Sequence, residues 1–219
     1  MSDTHPTPTS PRIDPLFFQP FAHPVAISAI AGVSLVVSYL VATGDPIAPW
    51  EIEVTRWLNQ APPLVAEGLW PVMQLGSLLG PIIVGGAILI IRRDRVVACL
   101  AVAIGGATWL AVHGVKELVA RGRPPVFMPD IVLPGGAATG FGYLSGHAAV
   151  AAAIAVVGMA VLPVRARPVA LVLVALVGIA RIVYGLHFPA DVIGGWSFGT
   201  LLGLLVVTLL GDWHRARDA

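Results

Sequence analysis

The sequence predicts an all-α membrane protein, a bundle of six transmembrane helices, and three observations carry that prediction. Hydrophobic residues make up 57% of the 219 positions and charged residues 11%, a balance foreign to soluble domains. Apolar runs recur at lengths near the roughly 20 helical residues that cross a hydrocarbon core of about 30 Å. Arginines collect in the short loops after every second run.

Residues 1–24, rich in Pro, Ser and Thr, read as a flexible cytoplasmic N-terminal tail. No basic stretch leads into a short apolar core there, so the first run is expected to stay as an anchor rather than be cleaved. The membrane domain covers 25–211, with runs at 25–43, 69–91, 96–115, 147–163, 168–186 and 191–211; residues 212–219 form a cytoplasmic tail. Between the first two runs, residues 50–70 alternate apolar and charged positions and include Trp50, Trp57 and Trp70. This segment reads either as an interfacial amphipathic helix with tryptophans at headgroup level or as a packed lid. Glycines such as Gly85, Gly105, Gly195, Gly199 and Gly203 suit close helix approach in lipid. Cys99, the lone cysteine, lies in an apolar run and reads as a small core residue that forms no intramolecular disulfide.

Arg92, Arg93 and Arg95 follow the second run, Arg165 and Arg167 the fourth, and Arg215 and Arg217 the sixth. With six crossings these positions share one side with the N-terminus, and the positive-inside rule makes that side cytoplasmic. The opposite, outer face then receives three polar clusters: KELVARGRP, YLSGH and RIVYGLHFPAD. Ionisable groups at the edge of hydrocarbon are costly, which points to function before packing.

Lys116 and Arg123 are seven apart, about two helical turns, and are expected on one face of an extension of the third helix that Pro124 and Pro125 end. Arg121 lies off that face, where Glu117 can pair with it. Ser145 suits a helix cap that leaves the Gly146 and His147 amides free at a positive helix end. Pro189 suits the first turn of the sixth helix, from which Asp191 reaches back toward His187 and fixes its tautomer. Arg181, about two turns earlier, supplies a forked donor for phosphate oxygens. His113 reads as a packed bundle histidine; His5, His23 and His214 fall in tails or at the cytoplasmic surface. No nucleotide-binding glycine loop, zinc-spaced Cys/His cluster or carboxylate cluster for a hard cation is visible, and Asp130 stands alone, so no metal, cofactor or nucleic-acid partner is expected.

These motifs resemble the type 2 phosphatidic acid phosphatase family, which shares its site with vanadium haloperoxidases. Lys116 with Arg123-Pro124 meets the family's first pattern, Ser145-Gly146-His147 the second, and Arg181, His187 and Asp191 the third. The likeness covers about 69–211. Leu144 stands where the family has proline and Ala180 where it has serine. The resemblance implies that His187 is the nucleophile, that Asp191 orients it and that His147 is the general acid. It further implies that Lys116, Arg123, Arg181 and the amides after Ser145 hold the phosphoryl group. A fixed cation ring can take the place of magnesium there, and vanadate is expected to inhibit.

The expected activity is metal-independent hydrolysis of a lipid phosphate or pyrophosphate at the outer leaflet of a bacterial-type cytoplasmic membrane. Phosphatidic acid, phosphatidylglycerol phosphate and isoprenyl pyrophosphates such as undecaprenyl pyrophosphate are the candidate substrates. Arg121, an extra cation beside the site, tilts the expectation toward pyrophosphate. The rival readings are a lipid phosphotransferase and a lipid-phosphate binder or transporter without turnover. Retention of both His147 and His187 argues against the binder, which needs only cations.

Overall fold

The computed structural model describes residues 21–161 and 163–218, with side chains through 211. The expected N-terminal tail therefore lies almost wholly outside the described residues. Among these, the chain is all-helical: α1 (Pro24–Ala42), α2 (Pro49–Asn59), α3 (Pro63–Met73), α4 (Leu79–Arg92), α5 (Arg95–Val119), α6 (Pro124–Phe127), α7 (Gly146–Val161), α8 (Arg167–Val183) and α9 (Pro189–Asp218). Helix α9 thus continues through most of the segment expected as a C-terminal tail.

Four stretches are long and apolar enough to span a bilayer, and a bent pair raises the number to five. The expected run at 69–91 is that pair: Pro63–Gly76 and Leu79–Arg92 meet at 70°. Pro71 lacks an amide hydrogen inside α3, and Ser77 adopts an extended backbone after a 3₁₀ turn at Gln74–Gly76. The Ser77 hydroxyl donates to the Gln74 carbonyl and accepts from the Leu79 amide, so it closes one element and opens the next. Helix α7 has only 16 residues, fewer than a spanning helix needs.

Helix α7 is the hub, packed against α9, α5, α8 and α4 and buried along most of its length. Its contact with α9 is close because both surfaces are small. Gly195, Gly199 and Gly203 line one stripe of α9, and a Cβ at Gly199 would strike the Ala149 backbone. This approach sets the starts of α7 and α9 side by side, where the Ser145 amide donates to the Asp191 carbonyl at 2.9 Å.

At the opposite end, Arg92 donates to the Val161 carbonyl and Arg167 to that of Met159. The two arginine-rich turns are therefore neighbours, a bundle length from the starts of α7 and α9. Two sequence readings change here. Cys99 is on the outside of the bundle, and so is His113, whose ring lies tilted against that of Trp109 and bonds its carbonyl. Among the described residues, both sit on exposed faces of α5.

Helices α2 and α3 cover α8, and α2 also reaches the start of α9. Glu51 and Thr55 of α2 are buried whereas Trp50, Trp57 and Trp70 face outward, so the segment joins a packed inner face to an aromatic outer one. Asn59 fastens this cover: its amide donates to the carbonyls of Val132 and Val183, and its oxygen accepts from the Val132 amide. Asp130 is not alone, since Arg56 of α2 approaches it at 3.5 Å on the surface.

Candidate active site

Lys116 and Arg123 reach the same place by a route the spacing did not foresee. Helix α5 ends at Val119, because Ala120 turns into the left-handed region at φ 50°. Arg123 follows on extended backbone just before α6. The Lys116 ammonium donates to the carbonyls of Phe141 (2.7 Å) and Gly142 (3.2 Å), and Arg123 donates to those of Gly140 and Leu186 (each 3.1 Å). These carbonyls aim the two cations and leave part of each donor set unused.

Ser145 occupies the position before α7, yet its hydroxyl makes no cap bond; it is buried with no partner among the described residues. His147 follows in the first turn, and its backbone rests on Gly76, where a Cβ would collide with the His147 carbonyl. Arg181 is buried near the end of α8; its Nη1 approaches the Met73 sulfur at 3.4 Å and its Nε has no partner among the described residues.

His187 is 1% exposed in the link between α8 and α9. Its Nδ1 faces Asp191 Oδ2 at 3.4 Å, and that oxygen accepts the Phe188 amide at 2.9 Å. Asp191 therefore caps its own helix and faces the histidine at once, with Nδ1 as the ring nitrogen turned toward it. Burial holds the His187 pKa well below its ordinary value, and Lys116, Arg181, Arg123 and His147 push the same way. The cations and both histidines named from the sequence thus lie within electrostatic reach of one another.

Arg121 is elsewhere. It is buried behind Asp191, with Nη1 donating to Asp191 Oδ1 at 2.7 Å and Nη2 pairing with Glu51 Oε2. Its guanidinium also lies over the Phe188 ring. It pairs with neither Glu117, which is exposed, nor a position open to substrate, so the expected role at a second phosphate falls away. Glu51 escaped sequence reasoning because it sits 70 residues from Arg121 in a segment that read only as amphipathic. The one available hint was a carboxylate on the apolar side of that segment.

The two departures from the family pattern are filled by packing. Leu144 is buried in one apolar cluster with Val112, Tyr143, Ala149 and Ala190, and Ala180 in another with Ala66, Met73, Val183 and Tyr184. One turn below His147 and one before Arg181, Ala151 and Val177 line an apolar cavity of about 170 Å3 shared by α4, α7 and α8.

Known proteins share the sequence pattern and the fold of this chain. A family model described as the PAP2 superfamily matches residues 96–215. Phosphatidylglycerophosphatase B of Bacillus subtilis (strain 168) is 32% identical over 161 residues, 68% of this chain and 74% of that protein. Two crystal structures share the fold. One is described as the first transmembrane PAP2 type phosphatidylglycerolphosphate phosphatase from Bacillus subtilis; its TM-score is 0.67 at 23% identity, over 88% of this chain and 97% of that one. The other is Aquifex aeolicus LpxE, with a TM-score of 0.59 at 24% identity over 71% and 93%. Apolar helices around a buried histidine and its cations make this an integral membrane hydrolase of the lipid phosphatase class. Its family is now plain, as the motifs led one to expect: the chain belongs to the PAP2 superfamily.

Proposed function

We propose that the protein removes phosphate from a membrane lipid at the outer leaflet through a phosphohistidine on His187, without a metal ion. The observation that carries this reading is the His187–Asp191 couple set among Lys116, Arg123 and Arg181 beside the start of α7. His187 Nε2 attacks phosphorus as the bond to the lipid oxygen breaks, and His147 gives its proton to the departing alkoxide. Water then attacks the phosphohistidine, His147 takes its proton, and inorganic phosphate leaves. Lys116, Arg123, Arg181, the Ser145 hydroxyl and the amides that follow it hold the equatorial oxygens, where charge collects in the transition state.

The apolar cavity supports a lipid substrate, since a chain can rest there while the phosphate stays among the cations. With Arg121 committed to two carboxylates, the reason for favouring pyrophosphate is gone. A diacylglycerol phosphate becomes the preferred substrate, in line with the relative named a phosphatidylglycerophosphatase. We further infer six crossings, with α7 and the bent α3–α4 pair each taken as one, and with both termini on the cytoplasmic side.

The test is phosphate release by purified protein from phosphatidylglycerol phosphate, phosphatidic acid and undecaprenyl pyrophosphate, with EDTA present. Release should persist in chelator, fall with vanadate and vanish in His187→Ala. Near wild-type turnover by His187→Ala removes the mechanism, and magnesium-restored activity removes its metal independence.

A further inference from the structure

Glu51 is wholly buried, far in sequence from every motif, and bonded to two parts of the site at once. Its Oε1 accepts the Ala190 amide at 3.0 Å, in the first turn of the helix that carries Asp191. Its Oε2 pairs with Arg121, whose other nitrogen holds Asp191 Oδ1 at 2.7 Å. A chain of contacts therefore runs Glu51, Arg121, Asp191, His187. We propose that Glu51 is a positioning residue for catalysis, which balances the charge of Arg121 so that Glu51, Arg121 and Asp191 together present one net negative charge to His187. The inference rests on His187 being the nucleophile.

The physical reason is charge balance at a buried point. As His187 Nε2 bonds to phosphorus its ring becomes cationic, and Asp191 is the group that must offset that charge. An arginine bonded directly to Asp191 would cancel it. A second carboxylate on the far side of the guanidinium leaves the trio with one net negative charge. This matters because every other charged or titratable group facing His187 is cationic or can become so: Lys116 of α5, Arg123 before α6, His147 of α7 and Arg181 of α8. A purely structural ion pair would not need this sign, since well-packed apolar residues of similar volume often replace a buried pair without loss of stability. The contact also makes the cover part of the catalytic unit, because Glu51 belongs to α2 and Asp191 to α9.

Charge-altering variants separate this role from simple support. Glu51→Gln leaves the trio neutral, Arg121→Met leaves it doubly negative, and the double variant restores one negative charge. With purified protein and phosphatidic acid in mixed micelles, Glu51→Gln should lower kcat about tenfold or more, with a smaller change in KM. Its acid limb of kcat should move to lower pH by about one unit. Arg121→Met should move that limb upward, and the double variant should return it toward the wild-type position. Glu51→Asp, which keeps the charge, should recover part of the rate. Should Glu51→Gln fail to fold, the opposite shift in Arg121→Met and its return in the double variant decide the matter. Limbs that stay fixed in all folded variants, or a double variant displaced further than either single one, overturn the proposal. His187→Ala assayed alongside tells the two failures apart: if it is inactive while the limbs stay fixed, the nucleophile stands and only Glu51 loses its role.

Discussion

His187 shows how much a single side chain owes to its surroundings. Its pKa is held low by burial and by four basic neighbours, so the ring stays neutral in acid, the form a nucleophile needs. Turnover should therefore persist as pH falls through about 6.5, where an ordinary histidine protonates. A kcat/KM profile with its acid limb at or above that value contradicts the burial argument. Arg121 offers a second prediction. Because it holds Asp191 rather than substrate, Arg121→Ala should slow monophosphate and pyrophosphate lipids by the same factor, about a hundredfold with two buried carboxylates left without their counterion. Selective loss of pyrophosphate hydrolysis in paired rate measurements would restore the role at a second phosphate. At this scale the candidate catalytic residues were legible because ionisable groups at fixed spacings interrupt apolar runs. The partner of Arg121 was not, since a buried pair 70 residues apart leaves no periodicity to read.

Among the helices, sequence and structure part where the chain turns. The run at 69–91 looked continuous because hydropathy ignores backbone hydrogen bonding; Pro71 and Ser77 break it by removing one donor and redirecting another. The expected extension of α5 failed at Ala120, whose left-handed conformation no residue type there announces. Glycine spacing on α9, by contrast, was a reliable guide to close approach. Gly199 meets the Ala149 backbone, so Gly199→Leu should pry α9 from α7 and cost about 1–3 kcal/mol of stability. A thermal shift in detergent measures this. Activity should fall with it, because the same contact sets Asp191 beside Ser145. Unchanged stability would show that the two helices tolerate separation.

For the whole molecule the open quantity is its orientation in the membrane. Two arginine-rich turns lie together at the end away from the site, so sidedness reduces to which end meets the cytoplasm. In a Cys99→Ala background, Ala137→Cys should react with an impermeant thiol reagent on intact cells and Arg165→Cys should not; both positions are exposed. The reverse labelling would turn the site inward. Bilayer thickness is the remaining consequence, and it follows from α7. Its 16 residues rise about 24 Å, some 6 Å short of a typical hydrocarbon core. If α7 ends at the cytoplasmic boundary, the phosphate must sink that far below the opposite one, and every added ångström of lipid deepens the descent. Reconstituted into phosphatidylcholine bilayers of increasing acyl length, the enzyme should be fastest in the thinner membranes and slow steadily as the mismatch grows.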